Sequence, residues 1–237
     1  MTEFAAVHTT AKEATAAGRD LAAQIKATMD GTPDVLLVFA SSAYDSVALL
    51  QALQDAIDPG ILVGSSSAGE FTHGTAGVGS ASALAIRSDD LKFAVGIGHG
   101  VSRDGRTAAR EMISGFKGLD GEHPYRAALV MSDALAGHAE ALVEELTLRT
   151  SGRYVLAGGG SGDDAQFAKT HVFLGTEAHN DAAVGPAGSQ PWPTPTPIGL
   201  LLSISSPTAA SLCASVPRKT WVLANCASSP EPPPAST

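Results

Sequence analysis

Two short stretches of this chain gather glycines, hydroxyls and carboxylates in a pattern suited to recognising a small polar molecule. Residues 64–70 read Gly-Ser-Ser-Ser-Ala-Gly-Glu. Gly64 and Gly69 let backbone pass close to a ligand or adopt a positive φ. Ser65, Ser66 and Ser67 offer donors and acceptors, and N–H groups exposed in a loop suit a carboxylate. Glu70 suits an ammonium, so the stretch matches both ends of a zwitterion such as an amino acid. It also reads as a tight turn whose serines satisfy its own backbone. Residues 158–164, Gly-Gly-Gly-Ser-Gly-Asp-Asp, have the same character, with Gly159, Gly160 and Asp163 as the candidates. No Lys-Ser or Lys-Thr follows, so the phosphate-loop pattern fails. Two adjacent carboxylates do not make a metal site.

A third group, Ser41, Ser42 and Tyr44, precedes Asp45, and Ser132-Asp133 stands at the matching place in the second half. The Tyr44 hydroxyl offers a polar handle for closing a pocket. Asp45 and Asp133 read better as helix caps or turn formers than as ligand contacts. The seven histidines are scattered singly, without an i, i+4 pair or a neighbouring cysteine, which argues against zinc. No Gly-x-Ser-x-Gly elbow is present. No activated base stands beside a positioned nucleophile in the sequence. The expectation is therefore a binding protein without catalytic residues, metal or cofactor. The alternatives are a hydrolase or transferase using a loop serine, and a non-catalytic interaction fragment.

The elements that must position these groups occur twice. Residues 34–70 run as apolar strand, polar turn, amphipathic helix, second apolar strand and Gly/Ser loop ending in a carboxylate, and residues 126–164 do the same. A spacing of about 90 residues is too long for a solenoid and fits two copies of one βαβ unit. The expected fold is α/β, a mixed sheet built from two related βαβ-type halves. Strand 35–40 should match 127–131, and loop 64–70 should match 158–164. The loops then lie at the carboxyl ends of strands, where open α/β sheets bind ligands. The uninterrupted apolar run of 35–40 predicts a strand covered on both faces. Thr10 and Glu13 match a capping box opening the first helix. Residues 79–87 and 91–99 read as a hairpin, with a helix over about 107–116 after it.

The 237 residues carry a formal charge of −9, which disfavours nucleic acid as a partner. No basic, apolar leader opens the chain, and the longest apolar run, 198–204, is far short of the ~20 residues that span a bilayer. Both cysteines, Cys213 and Cys226, lie near the end. These features predict a cytoplasmic protein with no membrane partner. From residue 186 the sequence turns Pro-rich and almost uncharged, and it holds both tryptophans. The expected division is a domain over 1–185 and a tail over 186–237, disordered or displaced from the domain's reading frame.

With the repeat laid out, the first 185 residues resemble the N-terminal domain of the FIST family of bacterial sensory proteins. Residues 38–45, 63–70, 80–86, 156–167 and 172–175 carry the resemblance, and the Gly-Ser-Ser-Ser-Ala-Gly-Glu run is its most specific part. The resemblance implies an intracellular sensory domain in signal transduction, with a small-molecule ligand such as an amino acid and a signalling output protein as partners. The family usually continues into a C-terminal FIST domain, to which the tail shows no match.

Overall fold

The computed structural model describes residues 1–72, 74–119, 123–163 and 168–191. The first copy of the repeat comprises β1 (Thr2–Thr9), α1 (Ala14–Thr28), β2 (Val35–Ser41), α2 (Ser46–Ile57), β3 (Ile61–Ser67), the hairpin β4 (Glu70–Thr72) and β5 (Thr75–Gly77), and β6 (Ala81–Ser88). The second comprises β7 (Lys92–His99), α3 (Val101–Ser114), β8 (Tyr125–Ser132), a 3-10 turn (Ala134–Ala136), α4 (Ala139–Arg149), β9 (Tyr154–Gly160), β10 (Val172–Leu174), β11 (Glu177–His179) and β12 (Ala182–Gln190). The α/β class and the duplication both hold. The strand order β1-β6-β2-β3 in one sheet is reproduced as β7-β12-β8-β9 in the other. In each copy the second and third strands are parallel, and the last strand lies antiparallel between the first and second. The second copy also lends β10 and β11 to the first sheet, beyond β3.

Strand faces explain the layering. Leu36, Val38 and Ala40 of β2 pack with Leu21, Ile25, Leu49 and Leu53 of α1 and α2. The alternate residues Val35 and Leu37 join Val63, Leu84 and Ile86 against Leu129, Met131 and Val184 of the second sheet. Ala128 and Val130 face Ala108, Met112, Leu142 and Leu146 of α3 and α4. The order of layers is helices, sheet, sheet, helices. A strand with apolar cover on both sides needs no polar alternation, which is why β2 reads as one apolar run. The second cover is the other sheet rather than more helices.

Matching glycines mark the same close approaches in both copies. A Cβ on Gly64 of β3 would lie 1.8 Å from the Val38 carbonyl oxygen, and one on Gly158 of β9 would lie 1.8 Å from that of Val130. Gly18 is the fifth residue of α1 and Gly105 the fifth of α3. A Cβ on Gly18 would lie 2.6 Å from Leu49 O in α2, and one on Gly105 would lie 3.0 Å from His138 O before α4.

Several expectations need correction. The two copies occupy separate sheets, not one. Each copy opens with a strand the sequence reading lacked, β1, or placed in a hairpin, β7. That hairpin does not exist: β6 already has β1 and β2 on its two edges, so the chain crosses at Asp89 and β7 pairs with β12. Thr10 does not cap α1. Glu13 does, accepting from Thr15 N at 2.8 Å and Ala16 N at 2.6 Å. Helix α3 begins earlier than expected, at Val101, but has a break at Asp104, whose side chain accepts from Arg106 N and Thr107 N.

The boundary expected at 185/186 falls inside β12, all nine of whose residues are buried. Pro186 sits opposite Val95, and the ladder to β8 is interrupted at residues 185 and 186, where a proline lacks the N–H to contribute. Residues 192–237, on which the tail expectation mostly rests, lie outside the described residues.

Candidate functional site

The parallel pairs β2–β3 and β8–β9 bring the candidate loops to their carboxyl ends. Register places Ala40 beside Ser66 and Ser41 beside Ser67 in one sheet, and Ser132 beside Gly160 in the other. The loops of the two copies then touch. Gly162 N donates to Ser66 O at 2.9 Å, and a Cβ on Gly162 would come within 2.8 Å of Ala68 N. The segment before β10 binds both. Ser66 N donates to His171 O and His171 N to Ser66 Oγ, each at 2.9 Å. Asp163 accepts from Ala168 N and from Lys169 N.

Glu70 does not face outward. It is 1 % exposed. Its Oε1 accepts from Ser67 Oγ at 2.6 Å, and its Oε2 accepts from Ser80 N at 3.1 Å and Ser80 Oγ at 2.7 Å. The Tyr44 hydroxyl is also engaged by the scaffold and donates to Ala11 O at 2.5 Å. Burial, with the nearby charge of Glu70 adding to it, pushes the Tyr44 phenol above its ordinary pKa. Ser41 is buried and its Oγ accepts from Ala43 N. Ser65 is buried in the ladder between Phe39 and Val172. Gly64 lies in the same strand, where its missing Cβ admits the Val38 carbonyl. Ser42, Ser67 and Gly159 are half-buried, and Gly69 and Gly160 are exposed.

Much of each Gly/Ser run is strand rather than the expected loop, since β3 continues to Ser67 and β9 to Gly160. The structure joins the two runs but directs the Glu70 carboxylate and the Tyr44 hydroxyl into the scaffold. Asp45 caps α2 through Ala48 N. Asp133 is a hub, accepting from Leu135 N at 3.0 Å, Asp181 N at 2.6 Å and the Thr170 hydroxyl. The sequence reading missed Ser80, Gly162, Lys169, Thr170 and His171. Nothing in the spacing of residues 170 and 171 ties them to Ser66 or Asp133. An apolar cleft also opens between the sheets, lined by Val35, Ile86, Phe93, Leu129 and Pro186. It lies at the amino ends of β2 and β8, opposite the polar loops, and offers a polar ligand almost nothing to bind.

These features define the class: a duplicated four-layer α/β domain whose polar loops converge at one end of its parallel strands. The FIST N domain matches residues 34–195, more than half of the 237, and the chain belongs to the FIST family, whose domains are associated with sensing in signal transduction. A comparison with curated proteins finds no match. No described helix is long and apolar enough to cross a membrane.

Proposed function

We propose that the domain senses a small polar ligand of the amino-acid kind, bound where the two Gly/Ser loops meet, and relays occupancy to a signalling partner in the cytoplasm without transforming the ligand. The observation that supports this reading most is the Gly162–Ser66 hydrogen bond, which joins the carboxyl end of β3 in the first copy to the segment after β9 in the second. A ligand held there touches both halves, so its binding energy acts on their relative positions. Ser42, Ser67, Gly69, Gly159 and Gly160 supply the contact surface in this proposal. Exposed Lys169, whose own N–H is held by Asp163, supplies a cation for a ligand carboxylate. Gly64, Ser41, Ser65, Ser66, Tyr44, Glu70 and Asp163 shape the floor rather than grip the ligand.

Serine chemistry fits less well. Ser66 Oγ is tied to the His171 backbone. The serine–histidine contact nearest the loops, Ser80 Oγ to His8 Nε2 at 3.2 Å, involves a fully buried serine already donating to Glu70. A nucleophile needs both an open approach and a base.

Thermal shift against the twenty amino acids and short dicarboxylates tests the reading. A ligand at 100 times its Kd adds about 2.7 kcal/mol to stability. Lys169→Ala should weaken a carboxylate ligand roughly tenfold, the effect of losing about 1.4 kcal/mol, with melting unchanged in the free protein. A panel without a stabilising member would overturn the proposal.

A further inference from the structure

The repeat shows what one edge of the second sheet lacks. In the first copy, the outer edge of β3 is covered by antiparallel β10, with Val63, Gly64 and Ser65 opposite Leu174, Phe173 and Val172. Its counterpart β9 ends the second sheet, and among the described residues no strand pairs with its outer edge. β9 reads Tyr-Val-Leu-Ala-Gly-Gly-Gly. It carries none of the charges or prolines that normally keep an exposed edge from pairing with another chain. Val155 on β9 is 56 % exposed, and Leu148 on α4, the helix leading into β9, is 64 % exposed.

The geometry points to β9 of a second copy as the missing neighbour, paired antiparallel about a twofold axis at Ala157. The strand is complementary to itself in this arrangement. Tyr154 faces the partner's Gly160, Val155 faces the partner's Gly159, and Leu156 faces the partner's Gly158. Each bulky half meets a glycine half, and the sheet continues across the dimer. Charge agrees with the direction. In the antiparallel register the two exposed Arg153 side chains lie at opposite ends of the paired strands. A parallel pair would instead set Arg153 beside Arg153 and Tyr154 beside Tyr154. The interface uses the same strand on both copies, so it closes at two and does not propagate.

Sedimentation velocity of the full chain, from about 1 to 100 µM, a range that brackets the micromolar Kd of a modest interface, should show a species of twice 24.0 kDa. Val155→Lys places a charge on the edge without entering the core, and should shift the protein to monomer, with a melting temperature equal to that of wild type at concentrations below the Kd. In a chain with Cys213 and Cys226 replaced by serine, Ala157→Cys should cross-link under mild oxidant, because facing Cβ atoms of an antiparallel pair are ~4.5–5.5 Å apart. A wild-type monomer throughout this range would overturn the inference. So would a dimer that survives Val155→Lys, or one that yields no cross-link at residue 157.

Discussion

Glu70 acts as a buckle. Its carboxylate gathers a backbone N–H and two hydroxyls from the two ends of the β4–β5 excursion, Ser67 before it and Ser80 after it. Replacement by alanine leaves the buried Ser80 donors and the half-buried Ser67 hydroxyl without this acceptor, and should cost about 1–3 kcal/mol in denaturant unfolding. Glu70→Gln keeps one carbonyl acceptor and should cost less. A change in ligand affinity without loss of stability would return Glu70 to the binding surface. Glu145 is held differently. Arg149 Nε at 2.8 Å and Arg110 Nε at 2.7 Å keep its carboxyl below the ordinary value, the Arg149 bond having the larger effect. The folded state thus favours the charged form. The resulting stability is fully present above the ordinary value of 4.5 and is lost as pH falls through the lowered one. The stability gap between wild type and Glu145→Gln should therefore narrow as pH drops below 4.5. A gap independent of pH would show that the arginines do not act through the charge.

Helix contacts set how much each element tolerates. In α1, Gly18→Ala gains about 1 kcal/mol in helix propensity. It must also place a methyl 2.6 Å from Leu49 O and 2.8 Å from Ala52 Cβ. Overpacking of this kind costs about 1–3 kcal/mol, so the variant should melt lower than wild type. The equivalent Gly105→Ala meets its nearest atoms at 3.0 and 3.3 Å and should be the milder change. Equal losses at both sites would mean that the spacing of the helices differs from that described. Gly64 and Gly158 leave less room still, because the obstacle is a neighbouring strand's carbonyl, which cannot move without breaking its ladder. Gly64 and Gly158 are the clearest residue-level trace of the duplication, since each admits the carbonyl of the strand beside it in its own half.

The two halves share one interior. Leu84 and Ile86 of the first sheet and Leu129 and Met131 of the second belong to a single buried cluster, so neither half covers its inner face alone. Leu84→Ala should cost about 2–5 kcal/mol. Calorimetry should still show one transition, with calorimetric and van't Hoff enthalpies equal, because loss of either sheet exposes the other. Two separate transitions would mean that the halves fold independently. The shared interior also gives the proposed sensor a means of coupling. A ligand across the loops and the apolar contact between sheets both bear on the same relation between the halves.

The strands 35–40 and 127–131, the helices between them, the duplication and the family were legible because each rests on local pattern. Apolar period, turn residues and a conspicuous Gly-Ser-Ser-Ser-Ala-Gly-Glu run need no knowledge of distant contacts. What covers each strand was not legible. An apolar face records that it is buried but not whether a helix or a second sheet buries it, so the separate sheets and the false 79–99 hairpin emerged only in three dimensions. Likewise, Pro186 looked like a boundary until flanking strands on both sides accounted for it. At the candidate site, the sequence identified which loops carry polar groups, while tertiary contacts decided which way those groups point. Ser66 meets His171 and Asp133 meets Thr170 across long stretches of chain. A buried carboxylate or hydroxyl turns toward whichever donors and acceptors the fold brings near, and the order of residues does not specify those neighbours.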